Sequence, residues 1–249
     1  MSGHNKWSSI KHKKAKEDAK KGKAFTKIIR MITVAARDGG GDPENNADLR
    51  TALDKANAVN MPKENIERAI KRGIGELEGV RYEASTLEGY GPNGVAIFVE
   101  LLTDNRNRTI PAVRHTLNKF GGTLAEKGSV AWNFESKGMI MILRNKYDED
   151  ELMMTALECG AEDFITQDEY YIIYTDPKEF HKVKQKLEQQ DIEIESAELT
   201  MIPKNTVNMN DNAQTVIKLI NELEDNDDIQ HVYANFEIDD EILERISDV

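Results

Sequence analysis

The densest chemistry in the chain sits at its N-terminus, in Gly3-His4-Asn5-Lys6-Trp7-Ser8-Ser9-Ile10-Lys11-His12-Lys13-Lys14. The basic run continues through Lys16, Lys20, Lys21, Lys23 and Lys27. Lysines at this density neutralise phosphates and release condensed counterions, an attraction that ignores base sequence. Trp7 offers a ring that either stacks on an unpaired base or docks on the protein's own helices. His12 adds positive charge below neutral pH, as does His4. Neither has metal-ligand spacing, and no flanking cysteine or acid completes a site.

A second candidate is Thr103-Asp104-Asn105-Arg106-Asn107-Arg108-Thr109, at the start of an expected helix. Free backbone N–H groups at a helix N-terminus attract anions, and the guanidinium forks of Arg106 and Arg108 strengthen such a site. The alternative is structural: Thr103 or Asp104 caps the helix, and the two arginines pair with nearby acids.

Charge separates the chain into two parts. Residues 1–30 hold ten basic and two acidic residues, a surplus of eight, so the remainder carries −20 against a total of −12. A basic arm on an acidic body binds polyanions, and the body repels phosphate elsewhere. With 39% hydrophobic and 31% charged residues, the 249-residue chain reads as folded and soluble, with about two domains' worth of length. No apolar run approaches a membrane span, and no apolar segment follows the basic N-terminus as a secretory signal requires. Cys159 is the only cysteine, so no intramolecular disulfide forms and a reducing, cytoplasmic location is expected.

The remaining motifs are bland. Gly39-Gly40-Gly41-Asp42-Pro43 lacks the lysine and preceding strand of a phosphate loop. Gly89-Tyr90-Gly91-Pro92-Asn93-Gly94 reads as a hairpin turn. Asp225 to Asp228 lacks the spaced ligands and central glycine of a calcium loop. Trp132 and Tyr170 to Tyr174 fall on expected strands and read as core. No nucleophile, zinc or Cys–His signature is present, so the chain reads as non-enzymatic, with no cofactor and no metal.

The elements that must carry these groups follow from periodicity. Residues 1–22 form a basic arm. Residues 23–78 form a helical domain: Phe25, Ile28, Ile29, Ile32, Ala35 and Ala36 recur at helical spacing, Asn46 caps a second helix and Pro62 opens a third. From residue 79 the pattern changes to strands at Thr86 to Tyr90 and Val95 to Leu102, a helix to about Phe120, and a strand at Val130 to Phe134. Residues 136–204 read βαββαβ, the ferredoxin-like order. A helix at Ala213 to Leu223 and a strand at Val232 to Phe236 complete the middle domain. That domain is therefore discontinuous, 79–135 plus 205–249, with 136–204 inserted. The expected class is α+β, with three domains: one helical and two ferredoxin-like α/β sandwiches, one inserted in the other.

These stretches resemble the YebC/PmpR family, which includes a mitochondrial translational activator of cytochrome c oxidase. The resemblance rests on Gly3-His4-Asn5-Lys6-Trp7, Gly22-Lys23-Ala24-Phe25-Thr26-Lys27, Gly39-Gly40-Gly41-Asp42-Pro43, Asn60-Met61-Pro62-Lys63, Glu88-Gly89-Tyr90-Gly91-Pro92, Thr103 to Thr109 and Gly128-Ser129-Val130. It implies a three-domain, cytoplasmic, DNA-binding transcriptional regulator; some members act instead in translation, at the ribosome. The residues themselves define only a polyanion-binding arm, with DNA, or RNA on a ribosome, as the partner. They show neither a helix-turn-helix reading helix nor the aromatics of an RNA-recognition sheet. The oligomeric state is open.

Overall fold

The computed structural model describes residues 21–167, 169–239 and Ile242. The fold is α+β, with an N-terminal helical region followed by antiparallel sheets. Contacts divide the described residues into two compact units, one within residues 134–204 and one of the described residues on either side.

In the larger unit, α1 (Lys21–Gly39), α2 (Ala47–Ala58) and α3 (Lys63–Gly73) form the helical region. Their apolar stripes meet in a core of Ile28, Ile32, Ala35, Leu49, Ala52, Ala56, Met61 and Ala69. Asn46 joins the first two helices. Its Oδ1 accepts from the Leu49 N–H at 3.0 Å, capping α2, while its Nδ2 donates to the carbonyls of Ala35 and Gly40, each at 2.8 Å. α1 and α3 approach so closely at Gly73 that a Cβ there would lie 2.5 Å from the Thr33 carbonyl oxygen and 2.7 Å from the Ala36 Cβ. Gly73→Ala is therefore expected to cost roughly 1–3 kcal/mol by overpacking. Equilibrium denaturation measures it, and an unchanged midpoint would show that the helices separate without cost.

The sheet of this unit runs β3-β1-β2-β9, every neighbour antiparallel: β1 (Glu83–Tyr90), β2 (Ala96–Thr103), β3 (Thr123–Ala125) and β9 (Ile229–Ala234). One face packs on α4 (Arg106–Lys119) and α7 (Ala213–Glu224), around Val95, Ile97, Val99, Leu117, Val216, Ile220 and Phe236. The apolar run of β2 is buried on both faces. On the second face Phe98 and Tyr233 pair, and Lys55 of α2 reaches His231 at 3.3 Å. A short parallel pair, β8 (Val207–Asn208) with β10 (Phe236–Glu237), flanks the sheet; β8 and β3 carry no sequence signal of their own, while Phe236 ends the expected strand Val232 to Phe236.

The smaller unit is β4 (Phe134–Leu143), α5 (Glu149–Cys159), β5 (Asp163–Thr166), β6 (Tyr170–Thr175), α6 (Phe180–Gln189) and β7 (Ser196–Pro203). Its sheet order, β5-β6-β4-β7, all antiparallel, is the ferredoxin-like one. The first sheet reaches a similar two-layer arrangement by a different chain order, ββαβ followed after the insertion by αβ. Where the chain leaves and re-enters the larger unit, Asn133 and Asn205 hold each other: the Asn205 N–H donates to Asn133 Oδ1 at 2.9 Å, and Asn133 Nδ2 donates to the Asn205 carbonyl at 3.0 Å.

Two expectations are corrected. Residues Ala131–Asn133 form a 3-10 turn rather than a strand, and pairing begins only at Phe134. The cause is Glu88, whose carboxylate takes the N–H groups of Val130 and Ala131. Trp132, expected in the core, is 65% exposed.

Candidate nucleic-acid interface

Of the basic candidates, Lys6, Trp7, Lys11, His12, Lys13, Lys14, Lys16 and Lys20 lie outside the described residues, and Lys21 opens α1. Further along α1 the structure differs from the expectation. Lys23, Lys27 and Arg30 share one helix face and turn onto the protein itself. Lys27 Nζ donates to the Glu224 carbonyl at 2.6 Å, at the C-terminal end of α7. Lys23 Nζ lies 3.3 Å from Asp225 Oδ1. Arg30 Nη1 donates to Asp228 Oδ1 at 2.6 Å and to the carbonyls of Asp227 and Leu102. The Arg30 guanidinium also lies 5.0 Å over the Tyr82 ring. The acidic tract Asp225 to Asp228, with the carbonyl of Glu224 before it, is the counter-surface for this basic stripe. Burial pushes the Lys27 amine down to about 8 against the pull of Asp227 and Asp225. An ammonium taken inward in this way is not offered to a phosphate, and Lys23 is shared with Asp225.

The second candidate segment ends on the same acid. Asn105, rather than Thr103 or Asp104, caps α4, its Oδ1 accepting from the Arg108 N–H at 3.1 Å. Thr103 Oγ1 accepts from the Asn105 N–H and shares a hydrogen with Thr109 Oγ1. Arg108 Nη2 donates to Asp228 Oδ2 and to Asp104 Oδ1, each at 2.8 Å. Thr109 Oγ1 donates to Asp228 Oδ2 at 2.6 Å. Burial alone would raise the Asp228 carboxyl. The hydrogen bonds from Thr109, Arg108 and Arg30, with the Arg30 charge, outweigh it and hold the group at about 2. Arg106 is exposed and has no ion pair among the described residues. The two arginines therefore divide in role. Arg108→Ala should lower the melting temperature and leave oligonucleotide affinity unchanged. Arg106→Ala should do the reverse. The same two measurements on both variants check this, and a binding loss for Arg108→Ala with an unchanged melt would restore it to the interface.

A third feature carried no functional reading in the sequence. Glu88, buried at the end of β1, accepts the N–H groups of Gly128, Val130 and Ala131 at 2.6, 2.7 and 2.9 Å. Burial would raise this carboxyl, but the three backbone donors and nearby Lys127 bring it below the usual range. Gly128, at φ +90°, takes the left-handed conformation that glycine adopts without strain. The pinned loop presents Trp132, whose Nε1–H donates to the Ser129 carbonyl at 2.9 Å. The Tyr90 hydroxyl donates to the same oxygen at 3.1 Å. Lys127 stands exposed on this loop. The signal was present in the sequence as two separate motifs, Glu88 to Pro92 and Gly128-Ser129-Val130; only the fold joins them.

Among the described residues, no group of three His, Cys, Asp or Glu side chains could hold a metal ion, and no helix is long and apolar enough to cross a membrane. Cys159 is buried, which raises its thiol.

Residues 5–76 match the model of the TACO1/YebC protein N-terminal domain, and residues 82–236 match that of the TACO1/YebC second and third domain. The chain is 57% identical over 252 residues to a probable transcriptional regulatory protein of Halothermothrix orenii, covering 100% of both chains. It is 59% identical over 250 residues to one of Persephonella marina, covering 99% of this chain and 100% of that one. The crystal structure of a conserved hypothetical protein from Aquifex aeolicus superposes with a TM-score of 0.83 at 52% identity, covering 91% of this chain and 94% of that one. On these matches, which span its helical region and both sheets, the chain belongs to the TACO1/YebC family.

Proposed function

We propose that this protein is a non-enzymatic, cytoplasmic regulator of gene expression that binds DNA through its N-terminal arm. The observation that carries the reading is the placement of charge. Lys6, Lys11, Lys13, Lys14, Lys16 and Lys20 precede α1, while Lys23 and Lys27, the next lysines along that helix beyond Lys21, are engaged by the protein's own acidic tract. Phosphate contact then falls to the arm, and such contact positions a protein on nucleic acid without reading bases. The relatives named as probable transcriptional regulatory proteins support a regulatory role.

A second reading, an RNA-contacting translation factor at the ribosome, is favoured by one feature. The exposed Trp132 ring suits unpaired bases, which folded RNA displays and duplex DNA does not. Crosslinking in cells, followed by sequencing of the captured nucleic acid, tests both. Enriched DNA fragments support the first reading and enriched ribosomal or messenger RNA the second. No enrichment over a form lacking residues 1–20 overturns both.

A further inference from the structure

We infer that Trp132, with Tyr90 and Lys127, forms a stacking site for an unpaired base of single-stranded nucleic acid. This rests on the nucleic-acid-binding reading above and adds a second contact, separate from the arm. Trp132 is 65% exposed, so a large aromatic ring of a type enriched at interfaces stands in water. The ring is not a loose side chain. Its N–H is bonded to the Ser129 carbonyl, and the loop beneath it is tied by three hydrogen bonds to the buried Glu88 carboxylate. Presenting the ring therefore costs little ordering entropy when a ligand arrives.

The chemistry of the ring selects the occupant. A tryptophan at a protein interface typically uses both its apolar body and its polar N–H. Here the N–H is spent inside the loop, so the ring offers its faces and edge carbons alone. Every base has a π-face, and stacking demands nothing else. Tyr90, 38% exposed, brings a second ring to the same carbonyl oxygen, and Lys127, exposed and without an ion pair among the described residues, supplies the cation that a neighbouring phosphate needs.

The test uses full-length protein carrying Trp7→Phe, which leaves Trp132 as the only tryptophan of the two. A short labelled oligo(dT) and a duplex of equal length are each titrated, reading label anisotropy and Trp132 emission together. The expected result is quenched emission with the single strand and little change with the duplex. Adding Trp132→Ala should weaken single-strand binding by roughly tenfold or more while sparing the duplex. Trp132→Phe, which keeps a ring, should retain most of the affinity. Unchanged emission while anisotropy reports binding would overturn the stacking site and leave the arm reading intact. Equal losses in the Ala and Phe variants would overturn it too, because loop order rather than the ring face would then be at work. An emission shift that depends on protein concentration alone would replace the base with a second copy of this chain. Binding of neither oligonucleotide at low salt would bring down the arm reading and this inference together.

Discussion

Replacing Asp228 with alanine should cost the fold about 3–5 kcal/mol, because it removes the counter-charge from a buried arginine. The Arg30 side chain is 10% exposed and that of Asp228 5%, so water cannot take over the lost partner. Arg30 would be left with the carbonyls of Leu102 and Asp227, and Thr109 would lose the shorter of its two acceptors, keeping the Asn105 carbonyl. The melting temperature should fall by roughly 6–20 °C. A variant melting within about two degrees of the parent would show that the helical region is held by its apolar contacts alone. The same acid predicts an acid limb. Its folded value of about 2 lies below its ordinary 3.8, so the charged form is favoured by folding. That stability is fully present above about pH 4 and is lost as pH falls toward 2; the shift corresponds to about 2 kcal/mol. Denaturation midpoints measured from pH 6 to 2 should decline in the parent, and this component should be missing from Asp228→Ala.

The second large effect concerns the arm. If six of its lysines reach phosphates on duplex DNA, the slope of log affinity against log salt should be roughly −5, so a fourfold rise in salt should weaken binding roughly a thousandfold. Removing residues 1–20 should abolish most of the affinity and nearly all of that slope. The rest should still fold, because the stripe Lys23, Lys27 and Arg30 that docks α1 lies beyond the cut. Equal affinity of the two forms at one salt concentration would sink the arm as the main contact. Loss of binding on a single base change would sink backbone recognition, since it demands direct readout.

What the sequence made legible was local. The first helices follow from the spacing of Phe25, Ile28 and Ile32, from the Asn46 cap and from Pro62, each acting within a few residues. The ferredoxin-like unit follows from short continuous apolar runs such as Met139 to Ile142, now buried on both faces of their sheet. What was not legible depended on partners far away in the chain. Val130, Trp132 and Phe134 alternate as a strand's residues do, yet Glu88, some forty positions earlier, takes donors that a strand would need. Arg106 and Arg108 differ in sequence only by the i,i+4 spacing of Asp104 and Arg108, and it is Asp228, reached only in the fold, that completes their separation. Lys23 and Lys27 look like more of the arm. The one clue was complementary: a basic stripe at helical spacing near the N-terminus and an acidic tract at 224–228 near the other end.

The hydrogen-bonded pair Asn133 and Asn205 has a consequence for how the chain assembles. The larger unit cannot complete its sheet until β9 has been synthesised, because Ile97 to Leu101 of β2 waits for Ile229 to Ala234. By then residues 134–204 are already complete as a compact unit whose end strands pair, Phe134 opposite Pro203. Once folded, that unit brings together two chain ends 72 positions apart and behaves as an internal crosslink. Closing so long a loop from an unstructured state would add on the order of 2–3 kcal/mol over a turn of a few residues. Early folding of the insert removes that entropy cost from the last step of its host, so damage to the β4–β7 pairing should slow the maturation of a core to which neither strand belongs.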